Sequence, residues 1–555
     1  MVTYAQLSSM DTSKLTTAAG SAGSLSSSLS TRAGEVNSAA DIPGGTWDGL
    51  DATAAGDLIG RQPPPLYDAS DAFQRGRTAL EDLADEIGTA KERLQDAHEL
   101  IAGTGITIGG DGTVTTPVVD SQETAQRNDG IAKQATAIIN QALQMANTAD
   151  QTAVAALQSI GTKVNPDDIP NGKGDSPADV KKWWDGLTKE QQQAYINDHS
   201  KEIGNLDGIP ADARDQANRI ALDDAVAEKK KRLQEIADSG LINAPGASDL
   251  RSEKEQLEGE LARLGVLDKR LDANKDYMLL GLDPDGDGKA IIATGNPDEA
   301  DNTVTFVPGT GADLGRINGE MNRVDRMVYD ANQLDPDKNT VGLMWLDWDA
   351  PDGPANAMSP GYASDAGDDL SKFQEGLRAG NPDSYNTVVG HSYGTTVMGN
   401  ASSEHGMDAD NMVFVASPGV GDAGNVGDLN TNADVYATRT DKDWINSWWA
   451  NLGTSRLGGD PMSPGFGAET FDADPDGNHS DYWWGTEDGR DSNNEARDNM
   501  AKIITGDGDN VTDTREAPTP SPSPGPMPSA PPTPEPDPSP QPSPSPSPGP
   551  SPTPR

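Results

Sequence analysis

The chain has 555 residues, enough for three or four domains of roughly 100–200 residues each. Its 89 acidic and 42 basic residues give a net charge of −47, which favours solubility and argues against binding to nucleic acids or anionic lipid surfaces. The absence of cysteine excludes disulfides, thiol nucleophiles and zinc–thiolate sites. The composition therefore predicts an acidic multidomain protein, and we expect no cofactor and no metal site.

No apolar run approaches the roughly 20 residues that a membrane span needs. Residues 1–6 lack the basic and apolar regions of a secretory signal peptide. We therefore expect either a cytoplasmic protein or export by a route that needs no such signal.

Residues 1–160 are predicted to form a helical domain, because apolar residues recur at helical spacing, as at Leu80, Leu83, Ile87, Leu94 and Ile101. Between two helical stretches, Trp47-Asp48-Gly49 resembles the Trp-x-Gly turn of the small helical hairpins exported by type VII secretion. This resemblance implies secretion machinery or a helical partner for residues 1–160. The alternative is an ordinary corner between two helices, filled by Trp47.

Residues 161–276 are predicted to form a second helical region that acts as a linker or cap. An antiparallel helical hairpin is indicated by leucines at i, i+7, i+11 and i+14, which are Leu250, Leu257, Leu261 and Leu264. Residues 513–555 are rich in Pro and Ser, so we expect a disordered tail that cannot bury a core.

Residues 277–512 alternate strand-like and helix-like segments, which is the pattern of an α/β domain with a mainly parallel sheet. The candidate strands are residues 303–307, 341–346, 387–389, 412–416 and 435–437. The predicted fold class is therefore a helical region followed by an α/β domain and a Pro/Ser-rich tail.

The pentapeptide Gly390-His391-Ser392-Tyr393-Gly394 stands between a candidate strand and a helix-compatible segment. A serine on such a sharp strand-to-helix turn has its Oγ exposed, and the turn leaves room for little more than glycine on either side. The pattern predicts the nucleophile elbow of an α/β-hydrolase, with Ser392 as the nucleophile.

A serine nucleophile needs a base, and the base needs an acid, which follow in the chain order Ser, Asp or Glu, His. The acid is expected in the loop after the strand at 435–437, where Asp443 is our choice and Asp441 the alternative. Of the five histidines, His479 alone lies downstream of that loop, so we predict His479 as the base.

The tetrahedral intermediate needs two N–H donors for its oxyanion. One is expected from Tyr393, the residue after the nucleophile, and the other from Thr310 in the glycine-containing loop at 307–311. The alternative for that loop is a plain turn at a strand end.

Residues 277–484 closely resemble a family of actinobacterial α/β-hydrolases of unassigned function. The motifs that carry the resemblance are Leu282-Asp283-Pro284, Val307-Pro308-Gly309-Thr310, Asp349-Ala350-Pro351, Gly390-His391-Ser392-Tyr393-Gly394, Ser417-Pro418-Gly419 and His479-Ser480-Asp481-Tyr482. The resemblance implies a Ser-His-Asp triad, carried here by Ser392, His479 and Asp443, and it implies no particular substrate.

Two Asp/Gly-rich turns, beginning at Asp283 and Asp472, are similar to the start of an EF-hand loop. An EF-hand needs a bidentate Glu at loop position 12, and these positions hold Thr294 and Trp483. We therefore predict turns and not calcium sites.

The hypothesis favoured by these patterns is a serine hydrolase that acts on an ester or an acyl-lipid-like small molecule. Residues 444–471 are expected to form an apolar wall over the site, with Trp448, Trp449 and Phe466. The second hypothesis is a secretion-linked interaction or effector protein whose hydrolase domain is a payload or is non-catalytic.

Overall fold

The computed structural model describes residues 2–40, 63–119, 121–160, 162, 164–172, 174–242, 247–447, 456–474, 476–484 and 494–513. The Trp-x-Gly turn at Trp47 and Gly49 lies outside these residues, as do Trp448 and Trp449. The predicted tail lies outside them from residue 514 onward.

The first helical region consists of α1 (Tyr4–Ser9), α2 (Ser13–Ala40), α3 (Pro63–Ile101) and α4 (Gln122–Ser159). Small and branched apolar side chains form the seam between α3 and α4, namely Ile87, Ala90, Leu94, Ala97, Ile139, Ala142 and Ala146. Alanines at helical spacing let the two backbones approach closely, which is why this Ala-rich sequence packs as long helices. Between them the chain forms a small antiparallel hairpin, β1 (Thr107–Ile108) and β2 (Val114–Thr115), which the sequence analysis did not predict.

The second helical region consists of α5 (Pro177–Asp185), α6 (Lys189–Asp198), α7 (Ser200–Gly204), α8 (Ala211–Asp238) and α9 (Ser248–Ala273). The last two are the helices of the hairpin region, and a buried ion pair joins them. Lys229 Nζ of α8 lies 2.7 Å from the Glu260 carboxylate of α9 and 2.6 Å from Asp285. Burial alone would lower the pKa of Lys229, but the two carboxylates outweigh it and raise that pKa.

The third region is built on an eight-stranded sheet: β3 (Met278–Asp283), β4 (Lys289–Ala293), β5 (Asn302–Val307), β6 (Thr340–Leu346), β7 (Tyr385–His391), β8 (Asn411–Val415), β9 (Asp434–Thr438) and β10 (Glu469–Thr470). The strand order is β10-β9-β8-β7-β5-β6-β4-β3. Strands β3 and β4 pair antiparallel, as do β4 and β6, and the other pairings are parallel. All five candidate strands occur, and β3, β4 and β10 are additional.

Helices cover both faces of this sheet, which explains why every residue of β5 and β6 is buried. Helix α10 (Ile317–Leu334) packs on β6 and on α13 (Glu495–Ile504), while α11 (Gly361–Gly380) packs on α12 (Gly394–Asn400). The described part of the chain therefore has the predicted class, a helical region followed by a mainly parallel α/β domain. None of its helices is long and apolar enough to cross a membrane.

Helical side chains cover the free edge of the sheet at β3. Asp215 of α8 accepts a hydrogen bond from Leu279 N–H at 2.6 Å, and Asn218 donates to the Leu279 carbonyl at 3.0 Å. Asn205, just after α7, donates to the Leu282 carbonyl and accepts from the Leu282 N–H. The backbone groups that an edge strand would expose to solvent are thereby satisfied inside the protein.

We expect Lys229→Met to destabilise the protein by about 3–5 kcal/mol, because it leaves the buried Glu260 carboxylate without its cation. The double variant Lys229→Met/Glu260→Gln should recover most of that loss, since it removes both charges. The measurement is the free energy of unfolding in urea. Lys254→Met, whose partner Glu258 is half exposed, is the control and should change it little. A small effect of Lys229→Met would contradict the inferred cost of the unpaired charge.

Candidate active site

The turn at Ser392 is held in an unusual backbone conformation. Ser392 has a φ of +53°, in the left-handed region that residues other than glycine rarely adopt. A Cβ on Gly390 would lie 2.4 Å from Met398 Sδ, and one on Gly394 would lie 2.2 Å from the Val307 carbonyl oxygen. Both neighbours of the turn must therefore be glycine for β7 and α12 to meet at this angle, with β5 directly beside them.

The three residues predicted for the triad lie in one hydrogen-bonded chain. His479 Nε2 is 2.9 Å from Ser392 Oγ, and His479 Nδ1 is 2.9 and 3.0 Å from the two oxygens of Asp443. Asp443, and not Asp441, faces the imidazole. Asp441 lies exposed two residues earlier, where its carbonyl accepts a hydrogen bond from Asn446.

Asp443 is buried but well supplied with donors. Besides His479, the Tyr482 hydroxyl donates to its Oδ2 at 2.6 Å and the Ile445 N–H donates to its Oδ1 at 2.9 Å. Burial alone would raise the pKa of this carboxyl, but the hydrogen bonds and the His479 charge outweigh burial and hold the pKa below its usual value. Asp443 is therefore ionised where it meets the imidazole.

The loop that carries His479 is anchored through its main chain. The Thr440 hydroxyl donates to the Gly477 carbonyl at 2.6 Å, and the Arg326 guanidinium donates to the Trp483 carbonyl at 3.0 Å. His391 Nε2 lies 2.8 Å from the carbonyl of His479 itself. Because a carbonyl can only accept, His391 Nε2 carries the proton in this contact.

The sequence analysis assigned no role to His391, which lies inside the elbow next to Ser392. It is 4% exposed, and burial and the Arg323 charge hold its pKa well below the usual value. Its ring centroid lies 5.0 Å from that of His479 and 5.1 Å from that of Trp483. A polar aromatic residue at the end of a buried strand was the signal that could have identified it.

The predicted oxyanion donors are Tyr393, directly after Ser392, and Thr310, in the loop after β5. A Cβ on Gly309 would lie 2.9 Å from Ser392 Cβ and 2.8 Å from the His391 carbonyl oxygen, so this glycine lets the loop after β5 approach the elbow. Among the hydrogen bonds of the described residues, none is donated by the N–H of Tyr393 or of Thr310. Neither N–H is therefore engaged by an acceptor among the described residues.

An exposed indole lies beside the triad. The Trp444 side chain is 51% exposed, although its ring centroid lies only 4.6 Å from that of His479. Phe466 has a different position from the one expected for an apolar wall, because it is 1% exposed and packs edge-on against Phe414 in the core. An inward-facing position in the loop before β10 explains this difference.

In each of the two Asp/Gly-rich turns, an aspartate carboxylate binds a lysine. Asp285 accepts from Lys229, and Asp476 accepts from Lys442. No cluster of three or more potential metal ligands occurs among the residues that the structure describes.

A polar cavity of about 800 Å³ lies away from the triad. It is lined by Arg378, Asp408, Asp410 and Asp434, at the amino ends of β7, β8 and β9. The triad lies at the carboxyl ends of these strands, where α/β proteins place their ligands. We therefore identify the candidate site by the hydrogen-bonded side chains of Ser392, His479 and Asp443, and not by the size of this cavity.

Comparison with known proteins agrees with this fold. Residues 283–454 match the family model described as alpha/beta hydrolase. Over 420 residues the chain is 28% identical to the uncharacterized protein Rv2079 of Mycobacterium tuberculosis, which covers 66% of this chain and 62% of the relative. The chain therefore spans less than two thirds of the length of that relative.

Two shorter matches are the uncharacterized proteins Rv0963c of Mycobacterium tuberculosis and Mb0988c of Mycobacterium bovis. Each is 30% identical over 176 residues, which covers 29% of this chain and 64% of the relative. No solved structure matches the chain. The family match confirms the predicted α/β-hydrolase fold and supports a hydrolase, and the relatives assign no substrate.

Proposed function

We propose that this protein is a serine hydrolase that acts through an acyl-enzyme on an ester or acyl-lipid-like substrate. The observation that carries the proposal is the unbroken hydrogen-bonded chain from Asp443 through His479 to Ser392. These residues come from three separate loops, and each is in the contact that its role requires.

In the first half-reaction, Ser392 Oγ attacks the substrate carbonyl carbon while His479 Nε2 takes the hydroxyl proton. The ionised Asp443 stabilises the imidazolium that forms and fixes the proton on Nδ1. The oxyanion accepts hydrogen bonds from the N–H groups of Tyr393 and Thr310, which become shorter as charge develops. His479 then gives its proton to the leaving alcohol, and the acyl group stays on Ser392.

In the second half-reaction, water replaces the alcohol. His479 removes a proton from the water, whose oxygen attacks the acyl-enzyme carbonyl, and the same two N–H groups hold the second oxyanion. The proton returns from His479 to Ser392 Oγ as the acid product leaves. The cycle uses only groups of this chain and water.

The indole of Trp444 supports an apolar substrate. A half-exposed indole in contact with His479 offers an apolar surface at the point where the substrate must approach. An acyl chain packed on that surface would gain roughly 1–2 kcal/mol from burial.

The secretion-linked hypothesis receives no structural support that the hydrolase proposal does not share. Its motif at Trp47 and Gly49 lies outside the described residues. An exported hydrolase would satisfy both hypotheses, and secretion experiments test the partners of residues 1–160.

The first test is covalent labelling with a fluorophosphonate probe. We expect the parent protein to be labelled and Ser392→Ala to be unlabelled, because the probe reacts only with an activated serine. Ser417→Ala removes another buried serine near the elbow and should keep the label. Equal labelling of parent and Ser392→Ala, or none of either, would count against the proposal.

The second test separates the two candidate acids. Asp443→Asn should lower kcat for a p-nitrophenyl ester by about 10³–10⁴-fold, because the imidazolium loses its charge partner. Asp441→Asn should leave kcat within a factor of about two, since its carboxyl is not part of the hydrogen-bonded chain. The reverse order of effects would assign the acid to Asp441.

The third test addresses the substrate. Trp444→Ala should reduce kcat/KM for p-nitrophenyl octanoate about tenfold more than for the acetate, because the long acyl chain loses its apolar contact. Tyr329→Ala, which removes an exposed aromatic ring from α10, is the control and should alter neither value. Equal losses for both esters would show that the indole does not bind the acyl chain.

A further inference from the structure

Tyr482 touches the candidate triad but has no role in the mechanism above. It follows His479 by three residues, is 1% exposed, and its hydroxyl donates to Asp443 Oδ2 at 2.6 Å. The hydroxyl oxygen of Tyr482 in turn accepts a hydrogen bond from the Thr440 N–H at 3.0 Å. With the oxygen already engaged as an acceptor, the hydroxyl proton points at the carboxylate.

The phenol keeps its proton in this position. Burial and the negative charge of Asp443 raise the pKa of Tyr482 far above its usual value. Tyr482 therefore donates to Asp443 at every pH at which a serine hydrolase works. Its ring is held independently of the hydroxyl, since it packs edge-on against Trp483 at a centroid distance of 6.0 Å.

We propose that Tyr482 is a positioning residue whose hydroxyl sets the pH at which His479 can act as a base. The inference rests on the proposed function, because it assigns Tyr482 to the Asp443–His479 pair of that site. His479 and Tyr482 stand on one loop and both hydrogen-bond Asp443, so the Tyr482 hydroxyl ties the loop of the base to the acid a second time.

Asp443 and His479 act electrostatically as one unit, because they share a proton-bearing contact. When His479 is able to accept a proton, the Asp443–His479 pair carries one negative charge. After it binds a proton, the pair is neutral overall. A donor such as the Tyr482 hydroxyl stabilises the negative form more than the neutral one, so removing the donor makes the pair easier to protonate.

Asp441 and Asp481 lie two residues from the acid and from the base, and the Asp481 carboxylate accepts a hydrogen bond from the Asn478 N–H. His391 of β7 packs on His479, but its pKa is held well below the usual value, so it is neutral over the same range. The positive charge of Arg323 in α10 acts on His391 and lowers its pKa. Lys442 is exposed and paired with Asp476. Tyr482 is therefore the neighbour whose removal changes the pair most directly.

The test is a pH titration of His479 by NMR in protein labelled with ¹⁵N-histidine. The chain has only five histidines, and His479→Gln assigns the signal. In Tyr482→Phe we expect the midpoint to rise by about one pH unit, because the negative form loses one charge-assisted hydrogen bond. The acid limb of kcat/KM for a p-nitrophenyl ester should move upward by the same amount.

The matched control is Tyr277→Phe. Its hydroxyl also donates to a carboxylate, that of Asp325 at 2.7 Å, but Tyr277 precedes β3 at the opposite edge of the sheet. This variant should leave the His479 midpoint unchanged. A midpoint that stays the same in Tyr482→Phe, or that moves equally in both variants, would overturn the proposal.

A second variant guards against misfolding of Tyr482→Phe. Site-specific replacement of Tyr482 by 3-fluorotyrosine keeps the ring and the hydroxyl but makes the hydroxyl a stronger donor, so the midpoint should fall. An unchanged or raised midpoint in that protein would also overturn the proposal. If the midpoints move as expected while Ser392→Ala hydrolyses esters as fast as the parent, the proposed function fails and the role of Tyr482 in the pair stands.

Discussion

The candidate site depends on a backbone turn that is costly in isolation. A residue other than glycine in the left-handed region costs on the order of 1–3 kcal/mol, and such a conformation persists only where the surrounding structure enforces it. At Ser392 the enforcement comes from close packing. The glycines at 390 and 394 let β7, α12 and β5 approach to distances that no side chain would allow. The same approach brings the Thr310 loop beside the serine, so the nucleophile and the predicted oxyanion donors have one structural origin.

The second constraint is a buried negative charge in a protein that already carries a net charge of −47. Asp443 is kept ionised by hydrogen-bond donors in direct contact with its carboxylate, namely His479, Tyr482 and the Ile445 N–H. The neutral His391 packs against His479, and the Arg323 charge acts on His391. These direct hydrogen bonds therefore stabilise the Asp443 carboxylate, and no positive potential from the rest of the protein is needed.

Much of the fold and of the candidate site could be read from the sequence, because each relies on local patterns. The glycine spacing around Ser392, the apolar runs of the parallel strands and the small number of histidines are all visible in one dimension. The sequence analysis missed β3 and β4, which stand on either side of the Asp/Gly-rich turn that begins at Asp283, and it missed β10, which has only two residues. The sequence analysis also missed the hydrogen bonds from Tyr482 to Asp443 and from His391 to the His479 carbonyl. Each joins residues that are far apart in the sequence, so only the folded structure shows it. The contact between His479 and Asp443 likewise depends on a distance across loops.

The covered edge at β3 has a consequence for how the chain can be divided. Asp215, Asn218 and Asn205 stand in for a neighbouring strand, so the helices before residue 277 complete the sheet instead of merely resting on it. A shortened chain that began at β3 would present unpaired N–H and carbonyl groups along that strand, which are a template for association with other chains. The short β10 offers no comparable template at the opposite edge. Resistance to aggregation would therefore be lost from one side of the molecule only, even if every residue of the triad were kept.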